Sequence, residues 1–308
     1  MADSEPSARQ SSSQVVDVGG RHLKVSNLDK VLYPATGTTK ADLIGYYAAI
    51  APTMLPHLAG RGVTLVRHPN GVGTDGFFEK RCPSHRPDWL HTVDDPGDRR
   101  GAIAACALDE PASLVWTANL AALELHTHMA LGADLDAPTM LVLDLDPGPD
   151  VDLSGCCEVA LWLREILESV DLVGFAKTSG SKGMQLYVPL NTPHDYDHTS
   201  SFALAMGQLL AKREPKRVLT EMTKAKRNGK VFIDWSQNTR HKTTITPYST
   251  RARDRPTVST PISWEEVADG ADGEPLVFDI DDVPARVEDL GDLFAETLTL
   301  QQHLPSKG

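Results

Sequence analysis

The stretch TMLVLDLDPGPD, residues 139–150, is an apolar run that ends in two aspartates, Asp144 and Asp146, before a Pro-Gly turn. It is typical of a buried strand. Because side chains alternate between the two faces of a strand, both carboxylates point to the same side, with their Cα atoms roughly 6.6 Å apart. An uncompensated charge in such a place costs several kcal/mol, so we expect this pair to face a cation.

A second acidic strand end strengthens the case for a metal site. The stretch KVFIDWSQN, residues 230–238, places Asp234 after another apolar run. Two divalent ions about 3.5 to 4 Å apart serve phosphoryl and nucleotidyl transfer, and carboxylates are their usual ligands. Asp144, Asp146 and Asp234 are therefore predicted to be catalytic metal ligands. A D-x-D glycosyltransferase, a chance surface pair and an Asp234 that only caps its strand remain as alternatives.

A donor-rich turn lies between the two acidic strands, in KTSGSKGMQLYVPL, residues 177–190. Its backbone N–H groups and one lysine ammonium suit the binding of a triphosphate. The G-x-x-x-x-G-K-[ST] loop of P-loop proteins is absent, and a plain hairpin turn is the alternative. The predicted phosphate ligands are Ser179, Ser181, Lys182 and Gly183.

The charge is unevenly distributed along the chain. The formal net charge of −12 argues against a nucleic-acid partner, yet residues 212–255 hold 13 Lys and Arg against 4 Asp and Glu. A basic region of this kind suits the phosphate backbone of DNA. A solvated charged surface is the alternative.

The composition is that of a soluble globular protein. The chain has 308 residues, of which 41% are hydrophobic and 23% charged, enough for a sizeable core. The start of the chain has no apolar signal core, and no run approaches the ~18 apolar residues of a membrane span, so we expect a cytoplasmic protein.

Helices and strands are mixed without strict alternation, which predicts an α+β fold with mixed β-sheets flanked by helices, in a two-lobed single domain. We predict a flexible N-terminal tail at residues 1–20, a catalytic domain at residues 21–298 and a C-terminal tail at residues 299–308. The first helix is predicted to have Thr39 as its N-cap and to break at Pro52. Helices are predicted at residues 38–52, 112–126, 154–170 and 199–213, and strands at residues 140–146, 172–179, 184–190 and 230–236.

The four cysteines show neither C-x-x-C spacing nor the framework of a secreted protein, so we predict unpaired thiols in a reducing compartment. A structural zinc site is the alternative for one group. Its members would be Cys82, His85, His91 and Cys106, whose spacing is irregular for such a site.

Seven short motifs occur in a fixed order: LDKVLYPATGTTKADLIGYY, then NG with FFEK at residues 70–80, ALELH, LVLDLDPG, TSGSKG, KVFIDWSQN and KTTITPYSTRAR. In this combination the chain resembles the polymerase domain of bacterial non-homologous end-joining DNA ligases (ligase D), in the archaeo-eukaryotic primase superfamily. The resemblance covers roughly residues 21–260. No K-x-D-G adenylation motif of a ligase occurs, so the sequence resembles a stand-alone polymerase.

The resemblance implies a polymerase active site. Asp144, Asp146 and Asp234 would bind two ions, Mn²⁺ or Mg²⁺, and the substrate would be an NTP or a dNTP. His126 and His128 can also be interpreted as an H-x-H metal pair. The residues implied to contact the nucleotide are His126, Phe78, Ser179, Ser181, Lys182, Gly183, Gln185, Gln237 and Arg251.

The resemblance also implies contacts with DNA. Phe77 and Phe78 would stack against base and template, and a three-residue pocket would hold the 5′-phosphate of a downstream strand at gaps and broken ends. Without the resemblance, the phenylalanine pair is more typical of a core, and the two lysines of the pocket would be solvated. The residues implied to contact DNA are Asn27, Lys30, Lys40, Arg67, Phe77 and Phe78.

Two residues depart from the family pattern. Gln185 stands where the family has a histidine in S-G-x-K-G-x-H, and Val66 replaces a basic residue before Arg67. Both changes remove cations near the nucleotide, so a catalytically weakened DNA-end-binding module is an alternative. The main expectation is a monomeric, metal-dependent primase-polymerase that fills gaps in DNA repair, with a separate ATP-dependent DNA ligase and Ku as partners.

Overall fold

The computed structural model describes residues 13–98 and 101–305, which fold around two β-sheets, each covered by helices. The strands are β1 (Ser13–Val18), β2 (Arg21–Ser26), β3 (Val31–Tyr33), β4 (Thr38–Thr39), β5 (Val63–Arg67), β6 (Phe77–Glu79), β7 (Thr92–Asp98), β8 (Gly101–Cys106), β9 (Ala122–His128), β10 (Ala130–Leu131), β11 (Asp134–Pro138), β12 (Met140–Pro147), β13 (Phe175–Thr178), β14 (Met184–Pro189), β15 (Val218–Leu219), β16 (Val231–Asp234), β17 (Thr243–Ile245) and β18 (Pro261–Ile262). The helices are α1 (Lys40–Leu58), α2 (Pro111–Asn119), α3 (Leu153–Glu168), α4 (Tyr196–Arg213), α5 (Trp264–Ala271) and α6 (Val283–Leu290), with 3₁₀ turns at Lys224–Lys226, Trp235–Gln237 and Ala295–Leu298.

Sheet I has the strand order β15-β16-β12-β14-β13-β18. Its central strands are antiparallel, and β12 lies between β14 and β16. The apolar residues of β12 and β14 pack with α3 and α4 into one core cluster. This burial fixes β12 in the middle of the sheet and leaves its polar residues at the opposite face.

Sheet II has the strand order β17-β9-β5-β8-β7, with β6 paired to β5. A second core cluster joins β5, β9, α1 and α2. The two sheets with their separate cores confirm the predicted α+β class and the two lobes. No helix among the described residues is long and apolar enough to span a membrane.

Helix α1 begins at the predicted N-cap. The Thr39 hydroxyl accepts from the backbone N–H of Asp42, and the Asp42 carboxylate accepts from the backbone N–H of Thr39, which forms a capping box. The predicted break at Pro52 is wrong, because α1 continues to Leu58 and holds both Pro52 and Pro56. Residues from both sides of Pro52, such as Ile50 and Met54, are fully buried, so tertiary packing outweighs the lost backbone hydrogen bonds.

The predicted helix at residues 112–126 is right only in its first half. Helix α2 ends at Asn119, and the chain then turns through Ala121, whose φ is 55°, into β9. The apolar residues of this segment fit a helical period, but β9 pairs with β5 and β17, and that pairing decides its conformation. The other predicted helices and strands are present with shifted or shorter bounds.

Both predicted tails contain packed structure. Residues Ser13–Val18 form β1, paired with β2, and Val16 and Val18 pack against the core, so the tail prediction is wrong there. Residues 1–12 lie outside the described range. At the other end, the Gln302 amide bonds to backbone groups of Val173 and Pro189, and Leu304 is buried. Residues 299–305 are therefore held to sheet I by buried contacts rather than forming a tail.

Cys82 and Cys106 form a disulfide, with their Cα atoms 4.7 Å apart. The prediction of unpaired thiols is wrong for this pair, and so is the zinc alternative, because both sulfurs are used in the bond. The spacing of 24 residues gave no signal, since the pairing arises in space: the Cys82 N–H donates to the Ala104 oxygen of β8 at 2.8 Å. Cys156 and Cys157 are free and buried.

Candidate active site

A row of polar residues crosses sheet I at one register. Asp234 on β16 pairs with Asp144 on β12. Asp144 in turn pairs with Gln185 on β14, and Gln185 pairs with Lys177 on β13. Directly opposed residues point to the same face, and Asp146 shares that face because it is two residues from Asp144. The three predicted acids therefore meet on one face of one sheet.

The acids carry more negative charge than the nearby side chains neutralise. Burial raises the pKa of Asp144 to about 7, and the charges of Asp146 and Asp234 contribute to the rise. Burial also raises the pKa of Asp146, although Arg227 opposes this. The nearest cations stand beyond hydrogen-bond distance: Arg227 Nη1 is 3.8 Å from Asp146, and Lys242 Nζ is 3.9 Å from Asp234. This excess of negative charge marks a place for a cationic ligand.

The carboxylates have the chemistry of a divalent-metal site but are turned to protein partners. Asp234 Oδ1 accepts from the N–H and hydroxyl of Ser236, at 2.9 and 2.6 Å. Asp144 accepts from the Gln237 amide at 3.4 Å. In these positions no three His, Cys, Asp or Glu side chains of residues 13–98 and 101–305 form a ready metal cluster. An all-oxygen donor set with a raised carboxyl pKa nevertheless fits a hard cation such as Mn²⁺ or Mg²⁺.

Asn238 holds β12 in place beyond the end of β16. Its Oδ1 accepts from the Val142 N–H at 2.9 Å, and its Nδ2 donates to the Val142 oxygen at 2.8 Å and to the Trp235 oxygen at 2.9 Å. The side chain is buried and so replaces the missing strand partner of Val142. The sequence analysis did not identify this residue, although it follows Gln237 directly.

Gln185 lies between the acids and a buried hydroxyl. Its Oε1 accepts from Thr244 Oγ1 at 3.2 Å, and its side chain forms a hydrogen bond to Asp144. Because Thr244 occupies the carbonyl oxygen, the NH₂ group is the part directed to the carboxylate. Gln185 also lines the cleft, where it was predicted to contact the nucleotide. Its neighbour Lys177 is fully buried and donates to Ser259 Oγ at 2.5 Å.

The predicted phosphate turn is closed on its own serine. Ser179 Oγ accepts from the N–H groups of Ser181 and Gly183, at 3.2 and 3.3 Å, while Lys182 is exposed. A Cβ at Gly183 would lie 2.1 Å from the oxygen of Leu145, so only glycine allows the turn to approach β12 this closely. The N–H groups of the turn therefore lie next to the acidic strand.

The acids and the turn line a common cleft of about 280 Å³. Arg227, Arg251 and Arg253 also line it, so cations surround the acids without pairing closely to them. The guanidinium of Arg227 lies over the ring of Phe232, with 3.7 Å to the ring centroid. Arg251 was predicted at this place, whereas Arg227 and Arg253 were not. The basic region of residues 212–255 was the signal for both.

Glu124 on β9 organises the opposite side of the cleft. Its Oε2 bonds to His126 Nε2 at 2.8 Å, and its Oε1 lies 3.1 Å from Arg251 Nε and accepts from the Ala252 N–H at 3.0 Å. Burial opposes ionisation, but these partners lower the pKa of Glu124 to about 2. The pKa of His126 is lowered by burial, against the influence of Glu124. Glu124 therefore orients two predicted nucleotide ligands, and the sequence analysis assigned it no role.

Phe77 and Phe78 are exposed by 45% and 68%, so they are not the core pair that their apolar character suggested. The Arg67 guanidinium lies over the ring of Phe77, with 5.3 Å to the centroid, and its Nη1 bonds to Glu79 at 2.8 Å. The Phe78 ring lies 6.1 Å from the ring of His126. The exposed aromatic surface is thus continuous with the nucleotide side of the cleft.

Asn27, Lys30 and Lys40 lie together. Lys30 N–H donates to the Asn27 oxygen at 3.0 Å, and Lys40 N–H donates to the Lys30 oxygen at 2.8 Å. Lys40 is only 6% exposed, and its Nζ donates to the Asn119 oxygen at 2.9 Å, so it is not a solvated lysine. Burial lowers the pKa of Lys40, and the charges of Lys30 and Arg67 lower it further. This group is a small cationic pocket.

The geometry agrees with what known proteins resemble this chain. It is 44% identical over 275 residues to the multifunctional non-homologous end joining protein LigD of Mycolicibacterium smegmatis, covering 89% of this chain and 36% of that protein. It is 32% identical over 270 residues to the bifunctional non-homologous end joining protein LigD of Bacillus subtilis, covering 87% and 43%. The chain thus spans well under half the length of these relatives.

A solved structure matches the whole fold. It is the polymerase domain from Mycobacterium tuberculosis ligase D in complex with DNA, with a TM-score of 0.85 and 40% identity, covering 91% of this chain and 99% of that one. Residues 39–294 match the family described as LigD, primase-polymerase domain. The arrangement of acids, phosphate turn and aromatic surface is therefore carried by a known fold, and the chain belongs to the LigD primase-polymerase domain family.

Proposed function

We propose that this chain extends a DNA primer on a template, adding nucleotides from NTPs or dNTPs, at gaps and broken ends during non-homologous end joining. The observation that carries the proposal is the cleft in which Asp144, Asp146 and the phosphate turn meet Arg251. The family match of residues 39–294 supports the same reaction. A separate ATP-dependent ligase and Ku would complete the join, and we propose that the chain acts as a monomer.

The acids are proposed to hold two divalent cations, with Mn²⁺ preferred over Mg²⁺. Bound there, such ions supply positive charge that lowers the pKa of a primer 3′-hydroxyl and neutralises the charge that develops on the phosphates. Asp144, Asp146 and Asp234 would hold them, with Gln185 and Gln237 orienting Asp144 through hydrogen bonds. Asn238 keeps the strand in register for this task.

The rest of the cleft would position the nucleotide. The phosphate turn and Lys182 offer N–H groups and an ammonium to the triphosphate. Arg251 and His126, both fixed by Glu124, face the same space from sheet II. Because binding geometry contributes most of the rate in phosphoryl transfer, this fixed arrangement is the protein's main contribution.

The DNA would run along sheet II. Phe78 lines a groove of about 560 Å³ together with Lys80, Arg81 and Arg86. Exposed aromatic rings beside cations stack on bases at about 1 to 3 kcal/mol each without a sequence requirement. The pocket of Asn27, Lys30 and Lys40 would bind the 5′-phosphate of the downstream strand through charge-assisted hydrogen bonds.

Neither alternative function accounts for this arrangement as well. A D-x-D glycosyltransferase has no use for the aromatic surface and the cationic pocket, and it does not belong to this family. A weakened end-binding module would follow from Gln185 and Val66, but Arg251 and His126 remain fixed by ion pairs. We therefore favour an active enzyme.

Primer extension tests the proposal directly. With Mn²⁺ present, wild-type protein should extend a primed template with both NTPs and dNTPs, and the ratio of the two rates gives its sugar preference. A mixture without template should give no extension. Tight binding of gapped DNA without any extension under these conditions would instead establish the end-binding module.

A further inference from the structure

Three tyrosine hydroxyls grip residues 248–251, the segment that ends in Arg251. Tyr46 donates to the Tyr248 oxygen at 2.7 Å, and Tyr33 donates to the Arg251 oxygen at 3.0 Å. Tyr47 lies 3.2 Å from Thr250 Oγ1 and accepts from the Thr250 N–H at 3.3 Å. All three tyrosines are buried, so each hydrogen bond is shielded from water.

The same two elements carry the lysines of the cationic pocket. Tyr33 ends β3, three residues after Lys30. Tyr47 lies on α1 seven residues after Lys40, which is two helical turns and the same face of the helix. The pocket and the tyrosines are therefore parts of one rigid pair of elements, joined by the hydrogen bond from Lys40 N–H to the Lys30 oxygen.

The far side of the segment reaches the nucleotide ligands. Thr250 Oγ1 donates to the Leu123 oxygen, and the Leu125 N–H donates to Ser249 Oγ at 2.8 Å. The Arg251 side chain then pairs with Glu124, which also holds His126. Direct contacts thus lead from the cationic pocket through the tyrosines to the nucleotide side of the cleft.

We propose that Tyr33 and Tyr47 couple the cationic pocket to the nucleotide site, so that a DNA 5′-phosphate in the pocket strengthens nucleotide binding by Arg251. This inference rests on the proposed function and goes beyond it. Tyr33 and Tyr47 are positioning residues here, since they act on the nucleotide only through Arg251 and Thr250. A downstream phosphate would then mark the DNA as a gap and prepare the enzyme for filling it.

Charge repulsion gives the pocket two arrangements. Without a ligand, the ammonium groups of Lys30 and Lys40 repel each other across a partly buried space. A bound phosphate removes this repulsion and draws the start of α1 toward β3, which tightens the grip of Tyr33 and Tyr47 on residues 248–251. Because coupling of two binding equilibria is reciprocal, the nucleotide must strengthen phosphate binding by the same factor.

The test measures nucleotide affinity on gapped DNA whose primer ends in a 3′-dideoxynucleotide, so that no turnover occurs. In wild-type protein with Mn²⁺, a 5′-phosphate on the downstream strand should lower the nucleotide Kd about fivefold relative to a 5′-hydroxyl, the lower end of ordinary coupling. In Tyr33→Phe and in Tyr47→Phe the ratio should fall below about twofold. Affinity for the 5′-phosphate DNA without nucleotide should stay unchanged in both variants.

Tyr196→Phe is the matched control, because the Tyr196 hydroxyl is also buried but has no hydrogen-bond partner among the described residues. It should keep the wild-type ratio. Full coupling in both Tyr33→Phe and Tyr47→Phe would overturn the inference, and so would wild-type protein that binds the 5′-phosphate without any change in nucleotide Kd. Primer extension on a template without a downstream strand is scored separately, and its absence would reject the proposed function itself.

Discussion

Asp144 and Glu124 are buried carboxylates on the two sides of one cleft, and their pKa values are shifted in opposite directions. Burial raises the pKa of Asp144 to about 7, with help from Asp146. Burial acts on Glu124 too, but His126 and Arg251 reverse it and lower its pKa to about 2. The difference lies in the partners, since Glu124 has two cationic or hydrogen-bonding neighbours and Asp144 has acids.

This contrast separates a side of the cleft that is complete from a side that needs a ligand. On sheet II the charges are neutralised within the protein, which fixes His126 and Arg251 before any substrate arrives. On sheet I the charge is left for a cation from solution. Removing Asp144 should therefore affect catalysis far more than folding, and removing Glu124 should affect both.

The largest effect is expected for Asp144→Ala. Extension should fall about a thousandfold or more, because a catalytic metal supplies several kcal/mol and about 1.4 kcal/mol is a factor of ten in rate. DNA binding and the circular dichroism spectrum should be retained. Asp269→Ala, at an exposed position on α5, serves as the control and should behave as wild type. Extension by Asp144→Ala at near the wild-type rate would show that Asp144 is not a metal ligand.

Glu124→Gln should cost about 2 kcal/mol of unfolding free energy near neutral pH, since each unit of pKa shift is worth about 1.4 kcal/mol. A carboxyl with a lowered folded pKa stabilises above its unfolded pKa of 4.5, so the loss should shrink as pH falls from there toward about 2. Nucleotide KM should rise about tenfold, because Arg251 and His126 lose their orientation.

Denaturant unfolding at several pH values measures the stability effect of Glu124→Gln. Glu165→Gln provides the comparison, since Glu165 pairs with Arg213 at the exposed surface, where such pairs contribute little. Equal stability losses in the two variants would mean that the Glu124 network does not support the fold.

Asp144→Asn should stabilise the protein without metal by about 1 to 2 kcal/mol at about pH 8. A carboxyl with a raised folded pKa favours the folded state below its unfolded pKa of 3.8, and this contribution is lost as pH rises through about 7. The variant should therefore match wild type at about pH 4 and exceed it at about pH 8. Thermal melts with a chelator present measure this, and a lower melting temperature at the higher pH contradicts the excess of negative charge.

The smallest effect is expected for Gln185→Leu, which removes the hydrogen bond to Asp144 at similar side-chain volume. The Mn²⁺ concentration for half-maximal extension should rise about tenfold, the lower end for residues that orient metal ligands, while kcat at saturating Mn²⁺ stays unchanged. If nucleotide KM rises instead and the Mn²⁺ dependence does not, Gln185 belongs to the nucleotide site, as the sequence suggested.

Local sequence was sufficient for sheet I. In β12 and β16 an apolar run followed by an acid encodes both the strand and the polar end, so the meeting of Asp144 with Asp234 followed from simple alternation. The N-cap at Thr39 was equally local, because a capping box needs only the residue three positions on.

Residues that depend on distant partners were missed. Glu124 looked like the polar face of a helix, because its conformation depends on β5 and its charge on Arg251, more than a hundred residues away. Lys177 is buried by packing of β13 that the sequence does not express, and the disulfide joins strands with no spacing signal. Such positions require the tertiary structure.

Asn238 sets which way the acids face. If β12 slipped by one residue against its neighbours, Asp144 and Asp146 would turn into the hydrophobic core, since side chains alternate with a period of two. The Asn238 amide occupies both backbone groups of Val142, so a slip would break two buried hydrogen bonds at once. An uncharged residue outside the strand thus guards the catalytic face against a misregistered sheet, and Asn238→Leu would permit an inactive but compact alternative fold.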